Sequence, residues 1–126
     1  MKRIISTDKA PAAIGPYNQA IQAGNFLFCS GQIPIDPATG AMVEGGVGEQ
    51  ARQVLKNVHA VLEAAGYAMT DVIKATVFAQ SMKDFAVVNE IYAETFKQEP
   101  PARSFIEVGA LPKGALVEIE VIAWKG

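Results

Sequence analysis

The 126-residue chain has few of the side chains from which enzyme active sites are commonly built. It contains one cysteine, Cys29, and one histidine, His59. A single cysteine excludes an internal disulfide and a multi-cysteine metal site. The sequence has no H-E-x-x-H, C-x-x-C or EF-hand pattern, and a lone histidine on a predicted helix supports no Ser-His-Asp triad. We therefore expect neither a metal site nor a cofactor, and we interpret Cys29 as buried apolar packing and His59 as a structural or surface residue.

Charged residues are also scarce, at 19% of the chain, and the net charge is -2. No run of lysine or arginine occurs, which disfavours a surface for nucleic acid or for anionic membranes. No apolar run approaches the roughly 20 residues that span a bilayer, and the basic start MKR is not followed by the apolar segment of a signal peptide. We expect one domain, residues 1–126, in the cytoplasm.

Apolar residues, in contrast, are abundant, since half of the chain is hydrophobic. A domain of this size has a large surface relative to its volume. We therefore expect part of the apolar surface to be buried against another copy of the chain.

Hydrophobic periodicity predicts an α+β domain. Helices are predicted at 47–65, with Gly66 as a candidate C-cap, and at 84–97, with Ser81 or Asp84 near the start. Strands are predicted at residues 4–5, 20–23, 26–29, 72–79, 103–109 and 115–124. The segments APAAIGPY and PIDPATGAMVEGG are predicted loops, the second with a turn at 37–40. This order indicates one mixed sheet with both helices packed on one face.

The segment PPARSFIEVGALPKGALVEIEVIAW, residues 100–124, places one arginine and two glutamates in apolar strands. Glu118 and Glu120 share a strand face, because residues two apart point the same way about 6.6 Å from each other. We expect the last two strands to be neighbours, with Arg103 within reach of a glutamate. The pattern fits an ion pair on a solvated face. It equally fits a site in which Arg103, pre-positioned by two prolines, binds a carboxylate through two parallel hydrogen bonds.

Other polar residues stand where a ligand could reach them. Tyr17 follows Gly15 and Pro16 in a loop, Ser30 and Gly31 end a predicted strand, and Asn89 interrupts the second helix. Glycine at a strand end permits close approach of a ligand to the backbone. Taken singly, each residue is equally well explained by packing, turn chemistry or a helix surface.

Together these segments resemble a known family. The blocks APAAIGPYNQAI, CSGQIPIDPATG, KATVFAQSMKDFAVVNEIY and PPARSFIEVGALPKGALVEIE are similar to the signature blocks of the RidA/YjgF family, the reactive-intermediate (enamine/imine) deaminases. The resemblance runs from about residue 4 to residue 124, and its last block is the most specific. It implies a fold like that of the Bacillus-type chorismate mutase, assembled as a homotrimer with active clefts between subunits.

The resemblance also implies a role for each candidate residue. Arg103 would bind the substrate carboxylate, and Glu118 would hold and polarise the attacking water, with Tyr17 as a further catalytic and substrate-binding residue. The other residues expected in the cleft are Ser30, Gly31, Asn89 and Phe105. Relatives often carry cysteine at the position of Phe105, so no thiol chemistry is assigned there. Glu120 is the second candidate for activating water, or a structural partner at the subunit interface.

The function implied is hydrolysis of 2-aminoacrylate and 2-aminocrotonate, through their 2-imino tautomers, to 2-oxo acids and ammonia. An iminium carbon is already electrophilic, so orientation by Arg103 and a general base would suffice without a cofactor. Two alternatives stay open. One is a trimer that binds 2-oxo acids and regulates a partner. The other is an endoribonuclease, against which the acidic balance of charge weighs.

Overall fold

The computed structural model describes residues 2–126, and its centre is a six-stranded mixed sheet. The strands are β1 Lys2–Ile5, β2 Ala20–Ala23, β3 Phe26–Gln32, β4 Ile35–Asp36, β5 Ala41–Met42, β6 Val72–Ala79, β7 Ala102–Glu107 and β8 Val117–Trp124. The helices are α1 Val47–Ala64 and α2 Phe85–Thr95. The sheet has the order β1-β2-β3-β8-β6-β7, and β4 pairs with β5 in a separate hairpin. Every pairing is antiparallel except that of β6 with β7. The α+β prediction is confirmed.

Helix α1 packs on the central strands as its periodicity predicted. Its apolar stripe is buried at Ala51, Val54, Leu55, Val58, Val61 and Leu62. The helix ends in a Schellman motif: Tyr67 N donates to Leu62 O at 2.9 Å, and Gly66 N donates to Glu63 O at 3.0 Å. Gly66 has φ +82°, a conformation that glycine adopts at little cost. The predicted C-cap is therefore confirmed.

Helix α2 is shorter than the predicted 84–97. A 3₁₀ turn, Met82–Asp84, precedes it, and Ser81 caps that turn by accepting a hydrogen bond from Lys83 N at 3.1 Å. The Asp84 side chain makes no capping bond. The helix ends at Thr95, five residues before the two prolines, and Glu99 adopts φ +48° in the loop between.

The loop predicted at residues 34–46 contains the hairpin of β4 and β5. Gly40 N donates to Asp36 O at 2.8 Å, and Gly40 has φ +73°, so the turn predicted at 37–40 is confirmed. The strand pair was missed because two-residue strands are too short to show an alternating pattern. Strands β1 and β3 extend beyond their predicted limits by two and three residues, respectively.

The expectation that the last two strands are neighbours is wrong, because β6 lies between β7 and β8. Strand β7 pairs in parallel with β6, and α2 is the crossover that such a pairing needs. The chain then passes the end of β6, where Val108 N donates to Ala79 O at 2.9 Å and Gln80 N donates to Leu116 O at 3.0 Å. This passage connects the two strands predicted at 103–109 and 115–124, and it contains a 3₁₀ turn at Pro112–Gly114.

Strand β8 has one core face and one open face, as its alternation predicted. Val117, Ile119, Val121 and Ala123 are buried toward the helices. Glu118, Glu120, Ile122 and Trp124 point to the other side of the sheet. Neither helix in residues 2–126 is long and apolar enough to cross a membrane.

A buried asparagine fastens the segment after β3 to α1. Asn57 is 1% exposed, and its amide donates to Ile33 O at 3.0 Å and to Ile35 O at 2.9 Å. Its side-chain oxygen accepts from Gln53 Nε2 at 2.9 Å. These bonds fix the course of the chain directly after Ser30 and Gly31.

We predict that Asn57→Ala lowers the free energy of unfolding by about 2–3 kcal/mol, because two backbone carbonyls lose their donor and an unmade buried hydrogen bond is costly. Urea unfolding at fixed protein concentration measures the change. The control is Gln53→Ala, which removes one bond from a half-buried side chain and should cost less than about 1 kcal/mol. Equal losses in the two variants would contradict this account.

Candidate functional site

Arg103 lies on the edge strand β7 and points to the helix side of the sheet. Its pairing partner on β6, Ala75, is fully buried on that side. The guanidinium Nη1 donates to Asn89 Oδ1 on α2 at 2.8 Å. Asn89 is neutral, so this bond orients the guanidinium without neutralising it.

Aromatic rings surround the guanidinium on its other sides. The Arg103 Cζ atom is 4.8 Å from the ring centre of Tyr92, 5.5 Å from that of Phe105 and 5.8 Å from that of Phe85. Phe85 and Phe105 pack against each other with ring centres 4.8 Å apart. Such faces attract a cation but accept no conventional hydrogen bond, so they leave its N–H donors free.

A cavity of about 430 Å³ opens beside this arginine. Its lining consists of Asn89, Tyr92, Ala93, Phe96, Pro100, Pro101 and Arg103. The two prolines restrict the backbone immediately before β7 and form part of the wall. The wall of the cavity therefore contains one positively charged side chain, that of Arg103, among mainly apolar residues.

A second group of predicted residues lies where β3 meets β8. The pairing of these strands is irregular between Cys29 and Gln32, which places Ser30 and Gly31 in a bulge. The Ser30 hydroxyl donates to Asn18 O at 2.6 Å, and Ser30 N donates to Gln19 O at 2.9 Å. These bonds hold the loop that carries Tyr17 against the end of β3.

Gly31 lies directly beneath the Glu118 side chain. A Cβ atom at position 31 would collide with the Glu118 carboxylate and would stand 2.9 Å from its Cδ atom. Glycine therefore permits a close approach here, but the group that approaches in this structure is the Glu118 carboxylate and not a ligand. Gly31 also lines a cavity of about 40 Å³ with Tyr17, whose side chain is 49% exposed.

Glu118 is the carboxyl group whose acidity the fold changes. Burial raises the pKa of Glu118, and the charge of Glu120 two residues along the strand raises it further. On β6, Phe78 lies opposite Glu118 and Thr76 lies opposite Glu120. A carboxylate with a raised pKa is a stronger base than an ordinary glutamate, which suits it to accept a proton from water.

The two groups lie on opposite faces of the sheet. Arg103 pairs with Ala75 and Glu118 pairs with Phe78, and β6 residues three apart point to opposite sides. The expectation that Arg103 lies within reach of a glutamate is therefore wrong within one protomer. Within residues 2–126, Arg52 and Glu94 form an ion pair at 3.0 Å, and His59 Nε2 lies 3.8 Å from a carboxylate oxygen of Glu63.

The structure brings the predicted residues together in two sets. Arg103, Asn89 and Phe105 form one set, and Tyr17, Ser30, Gly31 and Glu118 form the other. Phe85 and Tyr92 stand at apolar positions of the second predicted helix, and no motif of the sequence connects them to Arg103. Their spacing from Asn89, four residues before and three after, puts all three on one helix face and could have revealed the connection.

Cys29 and His59 have no place in either set. Cys29 is buried, and burial raises the pKa of its thiol to about 12, as suits a packing residue. His59 is exposed on α1. No group of three or more histidine, cysteine or acidic residues within residues 2–126 could hold a metal ion.

Comparison with known proteins identifies close relatives over the full length. The family model described as Endoribonuclease L-PSP matches residues 7–125. A RutC family protein of Pyrococcus horikoshii is 59% identical over 125 residues, which are 99% of each chain. The human 2-iminobutanoate/2-iminopropanoate deaminase is 50% identical over 126 residues, covering this chain completely and 92% of the human protein.

Solved structures agree with this similarity. E. coli TdcF with bound serine has a TM-score of 0.95 at 45% identity, covering 98% of this chain and 99% of TdcF. RidA from a Psychrobacter species has a TM-score of 0.94 at 46% identity, covering 98% and 99% of the two chains. A Thermotoga maritima protein described as a putative endoribonuclease has a TM-score of 0.98 at 53% identity, covering 100% and 99%.

We predict that Gly31→Ala destabilises the protein by about 1–3 kcal/mol because the new methyl group overlaps the Glu118 carboxylate. In a Glu118→Ala background the colliding atoms are gone, so the same change should cost less than about 0.5 kcal/mol. Denaturant unfolding of the four proteins in this double-mutant cycle measures the coupling.

Gly109→Ala is the matched control, because a Cβ atom there meets nothing within 4 Å. It should leave stability unchanged within about 0.5 kcal/mol. If Gly31→Ala were equally costly with and without the Glu118 side chain, the backbone rather than the carboxylate would require glycine.

Proposed function

The chain belongs to the Rid/YjgF/L-PSP family, and on that premise we propose that it is a hydrolytic deaminase of 2-imino acids in the cytoplasm. Its substrates would be the 2-imino tautomers of 2-aminoacrylate and 2-aminocrotonate, and its products 2-oxo acids and ammonia. The observation that carries the proposal is Arg103, held by neutral Asn89 beside a cavity of about 430 Å³. The name of the human relative and the serine bound to TdcF support the same class of ligand.

Arg103 is suited to bind the carboxylate that all these substrates share. Within residues 2–126 its guanidinium donates one side-chain hydrogen bond, to Asn89, and forms no ion pair. Its remaining donors can meet the two oxygens of a carboxylate in parallel, which fixes the orientation of the ligand as well as its position. Orientation of this kind supplies a large part of catalysis when the reacting carbon is already electrophilic.

Glu118 is suited to act on water. Its carboxylate would accept a proton from a water molecule as the water oxygen bonds to C2 of the iminium group. The electron pair of the C=N π bond moves to nitrogen, and the proton is returned to that nitrogen. The hydroxyl group of this adduct then gives its proton to the Glu118 carboxylate as the C–N bond breaks, so the carbonyl forms and ammonia leaves. No electrons are exchanged with a third reactant, so the reaction needs no redox partner.

One protomer supplies only half of such a site, because Arg103 and Glu118 lie on opposite faces of its sheet. We propose that the protein is a homotrimer in which each cleft takes Arg103, Asn89 and Phe105 from one copy and Tyr17, Ser30, Gly31 and Glu118 from the next. The open face of the sheet supports burial against another copy, because it is strongly apolar. Its large side chains are Phe26, Phe28, Phe78, Ile106, Ile122 and Trp124.

We predict that the wild-type protein accelerates 2-oxo acid formation when threonine dehydratase supplies the enamine, and that Arg103→Ala and Glu118→Gln do not. Loss of the base should lower the rate by about 10²–10⁴-fold. The matched control for charge is Arg52→Ala, because Arg52 is an exposed arginine paired with Glu94 on the helices. Formation of the 2-oxo acid is followed by absorbance or by a coupled dehydrogenase. A reaction without added protein measures the spontaneous rate.

The pH dependence of the rate tests the role of Glu118 separately. The raised pKa of Glu118 should move the acid limb above the 4.5 of an ordinary glutamate, with the rate falling as pH falls through it. A rate that is flat from about pH 5 to pH 9 would argue against a glutamate base of raised pKa. Binding of 2-oxobutyrate at Arg103 without acceleration of hydrolysis would instead favour the regulatory trimer.

The description of the family model keeps an endoribonuclease as the second candidate. A net charge of -2 disfavours it, because binding to the phosphate backbone depends on clustered cations. RNA cleavage by highly purified protein that declines steeply with salt would favour the nuclease.

We predict that two inactive variants complement each other when their subunits are exchanged. An Arg103→Ala subunit keeps Glu118, and a Glu118→Gln subunit keeps Arg103, so a cleft between one of each can hold both functional side chains. Random mixing at equal amounts should restore about one quarter of the wild-type activity, since one in four clefts is then intact. Denaturation and refolding of the mixture, followed by the same assay, makes the measurement.

The control is the same procedure with each variant alone, which should restore no deaminase activity. Absence of complementation in mixtures shown by mass spectrometry to contain mixed trimers would contradict the shared cleft.

A further inference from the structure

We propose that Tyr92 is the positioning residue of the carboxylate site, and that its ring face holds the guanidinium plane of Arg103 in the orientation that binds the ligand. This inference rests on the proposed function of Arg103. Of the rings around the guanidinium, Tyr92 is the nearest, at 4.8 Å from Cζ. It stands on α2 three residues after Asn89, so the same helix face supplies both contacts to Arg103.

The two contacts restrain different parts of a flexible side chain. Asn89 Oδ1 fixes one end of the guanidinium through Nη1 at 2.8 Å. The guanidinium could still rotate about the axis of that single hydrogen bond. The Tyr92 ring, which packs near the guanidinium, restricts this rotation. An arginine held at both points meets a carboxylate without a further loss of rotamer entropy, which improves affinity.

Tyr92 is itself held firmly. It is 5% exposed, and its ring packs against the buried Phe96 with ring centres 4.6 Å apart. Phe85, by contrast, is 37% exposed and lies 5.8 Å from the guanidinium carbon. The rigid partner of Arg103 is therefore the tyrosine, and cation–π attraction is strongest where water is excluded.

The contact is made by the ring and not by the hydroxyl. The Tyr92 Oη atom is buried and has no hydrogen-bond partner within residues 2–126. It therefore orients neither Arg103 nor Asn89 through a hydrogen bond in this protomer. An unpartnered buried hydroxyl does not favour folding, so phenylalanine should replace tyrosine here with stability unchanged or raised.

The effect of the ring should fall on ligand binding and not on the chemical step. Tyr92 contacts the group that binds the carboxylate, whereas Glu118, which acts on water, lies on the other face of the sheet. A bound carboxylate fixes the guanidinium itself through two parallel hydrogen bonds, so removing the ring should raise KM and the Kd for a 2-oxo acid while leaving kcat nearly unchanged. A change at Tyr92 that merely loosened α2 would lower stability without this selective effect.

The test compares Tyr92→Phe with Tyr92→Met, which keeps much of the side-chain volume and is a good helix former but has no ring. Binding of 2-oxobutyrate is measured by calorimetry, and kcat and KM by the coupled assay. Tyr92→Phe should bind within about 2-fold of the wild type, and Tyr92→Met about 5- to 30-fold more weakly, with kcat within about 3-fold. If Tyr92→Met does not fold, Tyr92→Leu takes its place.

Ile91→Ala is the control for damage to α2. Ile91 is buried on the same helix and faces α1, outside the cavity at Arg103. It should lose stability as a large-to-small core change does, with 2-oxobutyrate affinity within about 2-fold of the wild type. A loss of affinity in Ile91→Ala as large as that in Tyr92→Met would reduce Tyr92 to a structural role and overturn the proposal.

The outcomes separate this inference from the proposed function. Failure of the wild type to bind 2-oxobutyrate, or unchanged binding by Arg103→Ala, would defeat the carboxylate site itself. If Arg103→Ala loses binding while Tyr92→Met binds with wild-type affinity, the carboxylate site would be supported. The proposed role of the Tyr92 ring would be overturned. Equal losses in Tyr92→Phe and Tyr92→Met would assign the effect to the hydroxyl and also overturn the proposal.

Discussion

The placement of β6 between β7 and β8 is the constraint on which the candidate site depends. Strand β7 must pair in parallel with β6, because α2 returns the chain to the same end of the sheet. The pleat then directs Arg103 toward the helices and Glu118 toward the open face. A cation and two carboxylates in one short segment are thereby prevented from meeting inside a protomer.

Because of this separation, within residues 2–126 Arg103 has no carboxylate partner and Glu118 has no cation partner that would lower its pKa. An arginine paired with a glutamate in its own subunit would spend its donors on that partner, and a ligand carboxylate would have to displace it. Instead, Arg103 is surrounded by a neutral amide and aromatic faces, none of which cancels its charge. Glu118, which forms no ion pair within residues 2–126, keeps a raised pKa because burial and Glu120 both disfavour its ionised form. The described part of the chain thus presents an arginine without a carboxylate partner on one surface and a carboxylate of raised pKa on another.

Much of the fold could be predicted from the sequence, because its elements are locally consistent. The stripe of α1, the glycine that ends it and the alternation of β8 each depend on neighbours a few residues apart. The pairing of β7 with β6 could not be predicted in the same way. Alternation assigns faces within a strand, but it does not say which strand lies alongside, and adjacency in sequence favoured the wrong neighbour. Strand β7 spans Ala102–Glu107 and not the predicted 103–109. This boundary and the short hairpin of β4 and β5 were missed because their pairing partners, not their own residues, define them.

The candidate site, like the fold, could be predicted only in part from the sequence. The polar candidates stood out by residue type and by their places in predicted strands, helices and loops, and the resemblance implied their roles. The grouping of Arg103 with Asn89, and of Gly31 with Glu118, required the structure. Phe85 and Tyr92 occupy helix positions where an aromatic residue usually packs in the core, and only the direction of Arg103 gives them a second use.

The scarcity of catalytic side-chain types is consistent with this arrangement. A reaction whose carbon is already electrophilic needs a fixed carboxylate, an oriented water and one proton acceptor. Arginine, glycine and glutamate can meet these needs if their positions are rigid, and each is rigid here for a different reason. Arg103 is held by an amide and by rings, Gly31 admits the Glu118 side chain because it has no Cβ atom, and Asn57 fixes the chain beyond the bulge. Because these supports belong to different strands and faces, the proposed packing of two copies through the apolar face would complete the site.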